Sequence, residues 1–153
     1  MPGPIETRLA ELGVTLPDAA APAANYVPWV VSGNMVYVSG QLPSRDGELV
    51  KGRLGDDMSV EEGAAAARLC AIALLAQLKA ACGGDLERLA RVVKLTGFVN
   101  STPDADRQPW VINGCSDFLV EALGDRGRHA RSAVGAILPL GVAVEIEAIF
   151  ELA

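Results

Sequence analysis

Histidine occurs once in this sequence, at position 129, which excludes a histidine-rich metal site and a pair of imidazoles sharing acid and base roles. No nucleophile-elbow motif accompanies it, so a Ser-His-Asp centre has weak support. Cysteine occurs three times, at 70, 82 and 115. The odd number, wide spacing and apolar helical surroundings fit reduced thiols used as small core residues, and no metal-ligand spacing is present. Aromatic residues make up only 5% of the chain although half of it is hydrophobic, so the interior must be built mainly from Ala, Val, Leu and Ile. Basic residues are also scarce, 13 against 19 acidic, and the net charge of -6 gives no long-range pull on a phosphate backbone. A nucleic-acid partner is therefore not expected. The apolar stretch 63–76 is interrupted by Arg68 and too short to span a bilayer, and the amino terminus does not read as a secretion signal. A cytoplasmic chain of one domain, with no membrane partner, is the expectation for these 153 residues.

What is present reads as alternating helices and strands. Ile5 to Leu12 has apolar residues at helical spacing with Gly13 as its stop, and the Pro- and Ala-rich segment from Leu16 to Ala24 should run extended over the surface. Residues 1–21 thus form an N-terminal helix and arm. Tyr26 to Val31 and Met35 to Gln41 flank Ser32-Gly33-Asn34, a tight turn, and predict a hairpin. At its end, Gly40 beside Ser39 either lets another backbone or a ligand approach closely or marks a bulge. Residues 44–58 read as an exposed loop around a short Glu48-Leu49-Val50 run. Ser59-Val60-Glu61-Glu62 is a capping box that opens a long helix ending at Gly83-Gly84. Arg91 to Asn100 is a central strand by its β-branched content. Pro109 fits the first turn of a second long helix, which Gly124 stops.

One helix, a hairpin, a helix, a strand, a helix and two strands predict an α+β fold, a single layer of helices over one mixed sheet. The sheet's other face also needs cover. Val30, Tyr37, Leu95 and Ile149 are expected to be distributed over both faces, with a partner subunit on the open one.

The chemistry concentrates at Arg131-Ser132-Ala133-Val134 and, past Leu138-Pro139, at Val144-Glu145-Ile146-Glu147-Ala148. A guanidinium there can clamp a small carboxylate while a nearby carboxylate orients water. The run Asp125 to Arg131 is the one local basic patch, either a solvated loop or part of an anion site.

The order of Tyr26, Gly33-Asn34-Met35, Ser39-Gly40-Gln41-Leu42-Pro43, Val93 to Val99, Asn113, Ala130-Arg131-Ser132, Leu138-Pro139 and Val144 to Ile149 resembles the RidA/YjgF family of small trimeric proteins. The likeness covers roughly residues 22 to 152, and the preceding helix looks like a subgroup with an extended amino terminus. The resemblance implies a chorismate mutase-like sandwich, two main helices on one face of a mixed sheet, and a homotrimer with clefts between subunits. It implies hydrolysis of reactive enamines and imines to 2-keto acids and ammonia without metal or organic cofactor. In that reading Arg131 pairs with the substrate carboxylate, Glu145 positions the attacking water, and the Ala133 carbonyl holds the imine nitrogen. Tyr26, Ser39 and Asn113 match positions that line the cleft.

This chain departs from the family pattern in having Ala133 where many active members carry cysteine, Ala24-Asn25 in place of Gly-Pro, and Ala143 where lysine is frequent. A non-catalytic trimer that senses a keto acid uses the same arginine and is the alternative. The endoribonuclease label that family members often carry fits poorly with the acidic balance and the lack of a histidine pair. Chorismate mutase chemistry fits worse still, because its dianionic substrate needs several cationic groups.

Overall fold

The computed structural model describes residues 2–153. Helix α1, Pro4–Glu11, begins on a proline and has no side-chain cap of its own. The Glu87 carboxylate takes that part, accepting from the Ile5 N–H at 2.9 Å. Ile5 and Leu9 are buried. Strands β1, Trp29–Ser32, and β2, Met35–Gln41, form the expected hairpin, although β1 starts three residues later than Tyr26. Pro28 has no N–H to donate to a ladder and precedes the strand. The 44–58 loop holds a minor hairpin, β3 at Ser44–Arg45 and β4 at Glu48–Leu49, and is anchored by the buried side chains of Leu54 and Met58.

Helix α2, Val60–Ala81, opens with the full capping box. The Glu62 N–H donates to Ser59 Oγ at 3.1 Å, and the Ser59 N–H donates to Glu62 Oε1 at 2.9 Å. By length and composition α2 could cross a membrane. Here Ala67, Cys70, Leu74, Leu75 and Leu78 are instead spent on the core. Strand β5, Leu89–Asn100, leads to helix α3, Gln108–Leu123, then to β6, Ala130–Ala136, and β7, Val144–Leu152.

The sheet order is β1-β2-β7-β5-β6. Only β5 and β6 run parallel, as the α3 crossover between them requires. Both long helices lie on one face, and they approach so closely that a methyl group at Gly114 would overlap the Ala64 carbonyl. Small residues are what permit that spacing. Cys70, Cys82 and Cys115 are buried free thiols, as their apolar settings predicted.

On β7 the side chains of Val144, Ile146, Ala148, Phe150 and Leu152 are buried under the helices. Glu145, Glu147 and Ile149 therefore point to the opposite face. Val30, Tyr37 and Val134 are exposed on that open face, whereas Leu95 is fully buried on the helix side. A single chain leaves the open face uncovered.

Candidate active site

Two clusters carry the candidate residues, and they lie on different parts of the sheet. The first forms where β2 meets β7. The register between these strands shifts between Val38 and Gln41, a bulge that places Gly40 against Glu145. A β-carbon at position 40 would collide with the Glu145 carboxylate. The bulge is therefore present, and what approaches Gly40 closely is a side chain rather than a backbone or a ligand. Glu145 is half-buried, and this partial burial, followed by the charge of Glu147, raises its carboxyl above the usual 4.5. Ser39 Oγ donates to the Pro28 carbonyl at 3.1 Å and ties the Tyr26–Pro28 segment to the bulge. Exposed Tyr26 borders the same hollow as Ser39 and Gly40.

The second cluster sits on β6, an edge strand with one row of backbone groups unpaired by any strand of the chain. Arg131 is in register with Leu95, whose side chain points to the helices, so its guanidinium also turns to that side. There Nη2 donates to the Pro109 carbonyl at 2.9 Å and Nη1 to Ser116 Oγ at 3.1 Å. Both partners belong to α3. Asn113 stands four residues after Pro109 and three before Ser116, hence on the same helix face beside Arg131. Ala133 follows Arg131 by two residues and packs against the core from the same side. Two of the guanidinium's five N–H groups are committed, which leaves donors for a carboxylate.

The expected pairing of Arg131 with Glu145 does not occur within one chain. Strand β5 lies between β6 and β7, so the two residues are two strands apart, about 10 Å, and three residues apart along the strands, about another 10 Å. They also point to opposite faces. Tyr26 and Ser39 share a hollow, and Glu145 lies against Gly40 beside Ser39; Arg131, Asn113 and Ala133 are brought together; the two groups are not.

Residues 6–151 match the family described as "YjgF/chorismate_mutase-like, putative endoribonuclease". The chain belongs to that family. It is 52% identical over 153 residues to Protein TCP17 of Trypanosoma cruzi, covering 98% of this chain and 95% of that one. Among solved structures it is similar to Atu1372 of Agrobacterium tumefaciens, a protein of unknown function, with 52% identity, a TM-score of 0.91 and coverage of 98% and 93%. E. coli TdcF, solved with bound serine, matches at 27% identity with a TM-score of 0.62, covering 88% of this chain and 94% of TdcF.

Within this YjgF fold one group of residues lies outside the motifs read from the sequence. Ser116 Oγ lies 2.8 Å from His129 Nε2, and His129 Nδ1 lies 2.6 Å from the Gly127 carbonyl. A carbonyl only accepts, so Nδ1 carries the proton and Nε2 accepts from the Ser116 hydroxyl, whose lone pair faces Arg131. A serine and a histidine do meet here, but their contacts hold the arginine in place. Only the Pro109, Asn113, Ser116 spacing on one helix face hinted at this. The neighbouring basic patch is largely structural: Arg126 bonds the Leu89 carbonyl and Glu87, each at 3.2 Å, while Arg128 stays exposed.

Burial first, and then the charge of Arg131, lower the His129 pKa below 6.5, against a raising effect of its bond to Gly127. In Arg131→Ala both lowering causes weaken, so the midpoint of this lone imidazole is expected to move up. An NMR titration of its ring protons reads the shift directly; an unchanged midpoint would show that the two side chains are uncoupled.

Proposed function

We propose that the chain hydrolyses small 2-imino acids and enamine carboxylates to 2-keto acids and ammonia, in clefts completed by a second copy within a homotrimer. The observation that carries this reading is the division of the candidate residues. A half-buried carboxylate lies on the open face against Gly40, next to Ser39, and a braced arginine sits with Asn113 and Ala133 at an exposed sheet edge. Each is half of a site, and packing the edge of one copy against the open face of another unites them. The serine bound by TdcF supports a small amino-acid-like ligand for this fold.

In this mechanism Arg131 pairs with the substrate carboxylate and the Ala133 carbonyl accepts from the protonated imine N–H. Glu145 takes a proton from water as the water oxygen bonds to the imine carbon, and the C=N electrons move to nitrogen. The resulting carbinolamine loses its hydroxyl proton, the C–N bond breaks, and nitrogen leaves as ammonia after protonation. A protonated imine is already electrophilic, so alignment in a dry cleft supplies much of the acceleration. The raised pKa of Glu145 makes it a better base than an exposed glutamate, with the acid limb of the rate profile expected above 4.5.

The test is keto acid release from imines generated in situ by an amino acid oxidase. Arginine-dependent acceleration supports the reading. Stabilisation by 2-keto acids with no acceleration for any imine would instead assign a sensor.

A further inference from the structure

Arg131 borders a depression of about 300 Å³ between α3 and the edge strand β6, together with Ser116, Asp117, Val120, Arg128 and His129. Gly127 lies so close to α3 that a β-carbon there would overlap the Leu119 carbonyl. Its own carbonyl is thereby held beside the helix, where it accepts from His129 Nδ1 at 2.6 Å. Nε2 of the same ring accepts from Ser116, whose oxygen accepts from Arg131. The chain Gly127, His129, Ser116, Arg131 thus engages both ring nitrogens and ends on the guanidinium that is proposed to take the substrate carboxylate.

The charges around this ring come from four elements. Helix α3 contributes Asp117. The turn before β6 contributes Asp125 and Arg128, both exposed and 3.6 Å apart, and Arg126, which is occupied by Leu89 and Glu87. Strand β5 brings Arg91, whose Nη2 donates to the Arg128 carbonyl at 3.0 Å, while Lys94 is in register with Ala130 and turns to the open face. On β6, Arg131 is one hydroxyl away from the imidazole, and its charge acts on the ring. No carboxylate pairs with Arg131 among the described residues. A proton on His129 therefore places a second cation beside an unneutralised guanidinium, in a half-buried position where water screens less well.

We propose that carboxylate binding at Arg131 is linked to protonation of His129: the free protein holds the imidazole neutral, and the liganded protein takes up a proton there. The inference rests on the role given to Arg131 above and adds regulation of that site by pH. An anion on the guanidinium cancels the charge that opposes the imidazolium. On protonation Nε2 changes from acceptor to donor, and Ser116 Oγ, with two lone pairs, accepts from the ring and from Arg131 at once while its own hydrogen turns away. The brace on the arginine survives the change. His129 is thus a positioning residue, acting through Ser116 and through its charge.

Linkage is reciprocal, so the factor by which the ligand favours the charged ring is also the factor by which the charged ring favours the ligand. Affinity is then highest below the His129 midpoint of the free protein, which lies under 6.5, and falls as pH rises through the midpoint of the complex.

The lone histidine gives ring-proton NMR signals that need no assignment. Titrated without and with saturating pyruvate, its midpoint should rise by about 0.5 to 1 unit. The pyruvate Kd, measured by calorimetry, should tighten by the same factor, about three- to tenfold, between pH 8 and the acid side of both midpoints. In His129→Gln, whose amide oxygen can still accept from Ser116, that tightening should disappear. An unchanged midpoint, a wild-type Kd indifferent to pH, or a tightening of the same size in His129→Gln would each overturn the linkage. The wild-type titration needs no variant and decides the matter if His129→Gln does not fold.

Failure of the hydrolase is read separately. Proton-linked pyruvate binding in a protein that turns over no imine keeps the linkage and removes the reaction. Imine hydrolysis with a His129 midpoint indifferent to bound pyruvate removes the linkage alone. No binding at millimolar pyruvate takes away the role of Arg131, and the linkage with it.

Discussion

Arg131→Ala and Glu145→Gln should each be nearly inactive, yet trimers formed by refolding the two variants together should regain about a quarter of wild-type turnover. Loss of two charge-assisted hydrogen bonds to the substrate carboxylate is expected to lower kcat/KM by on the order of 10³-fold. Loss of the base should lower kcat by about 10² to 10⁴-fold. The rescue follows from the geometry. Arg131 and Glu145 point to opposite faces, two strands apart, so in the proposed mechanism a site takes the arginine of one copy and the glutamate of another. In random mixtures about one interface in four brings together an intact arginine and an intact glutamate. Mixed trimers are made by denaturing equal amounts of the variants together, and the control is the same amounts refolded separately. Recovery only in the mixture supports shared sites; inactive mixed trimers of normal size would refute them.

Gly40→Ala is expected to keep the fold and lose about 10²-fold in kcat. The backbone at Gly40 is not in the left-handed region, so alanine is conformationally acceptable there. What the methyl group meets is the flexible end of Glu145, which can swing aside. Stability should change by no more than about 1 kcal/mol, whereas a misplacement of about 1 Å in the group that orients water is enough for the loss in rate.

The pH dependence identifies the cause. The folded pKa of Glu145 lies above its unfolded value, so ionising it on the folded protein costs stability as pH rises through that range, and the cost is relieved in acid. A carboxylate displaced into water loses this penalty. The residual activity of Gly40→Ala should therefore have its acid limb shifted down toward 4.5. A slow variant with an unshifted limb would mean that the methyl group acts elsewhere.

Local structure was legible in the sequence because its causes are local. The Ser59 capping box, the Pro109 entry into α3, the glycine stops and the hairpin turn are set by neighbouring residues, and all occur where expected. Alternation along Val144–Leu152 correctly separated an apolar face from an acidic one. The late start of β1 is a boundary effect next to Pro28. The motif order also carried the family, because it spans most of the chain.

The sequence by itself therefore determined the elements, their apolar faces, the layer they build and the residues capable of chemistry. Tertiary structure alone decided which of those residues meet. Insertion of β5 between β6 and β7 put Arg131 and Glu145 on separate faces, although they are only fourteen positions apart in sequence. Packing of α3 on the sheet joined Ser116 to His129 and both to Arg131. The physical reason is one of range. Caps and periodicities act within a turn or a strand, whereas strand order and helix docking are fixed by burial summed over the whole core, and no short stretch of sequence contains that sum.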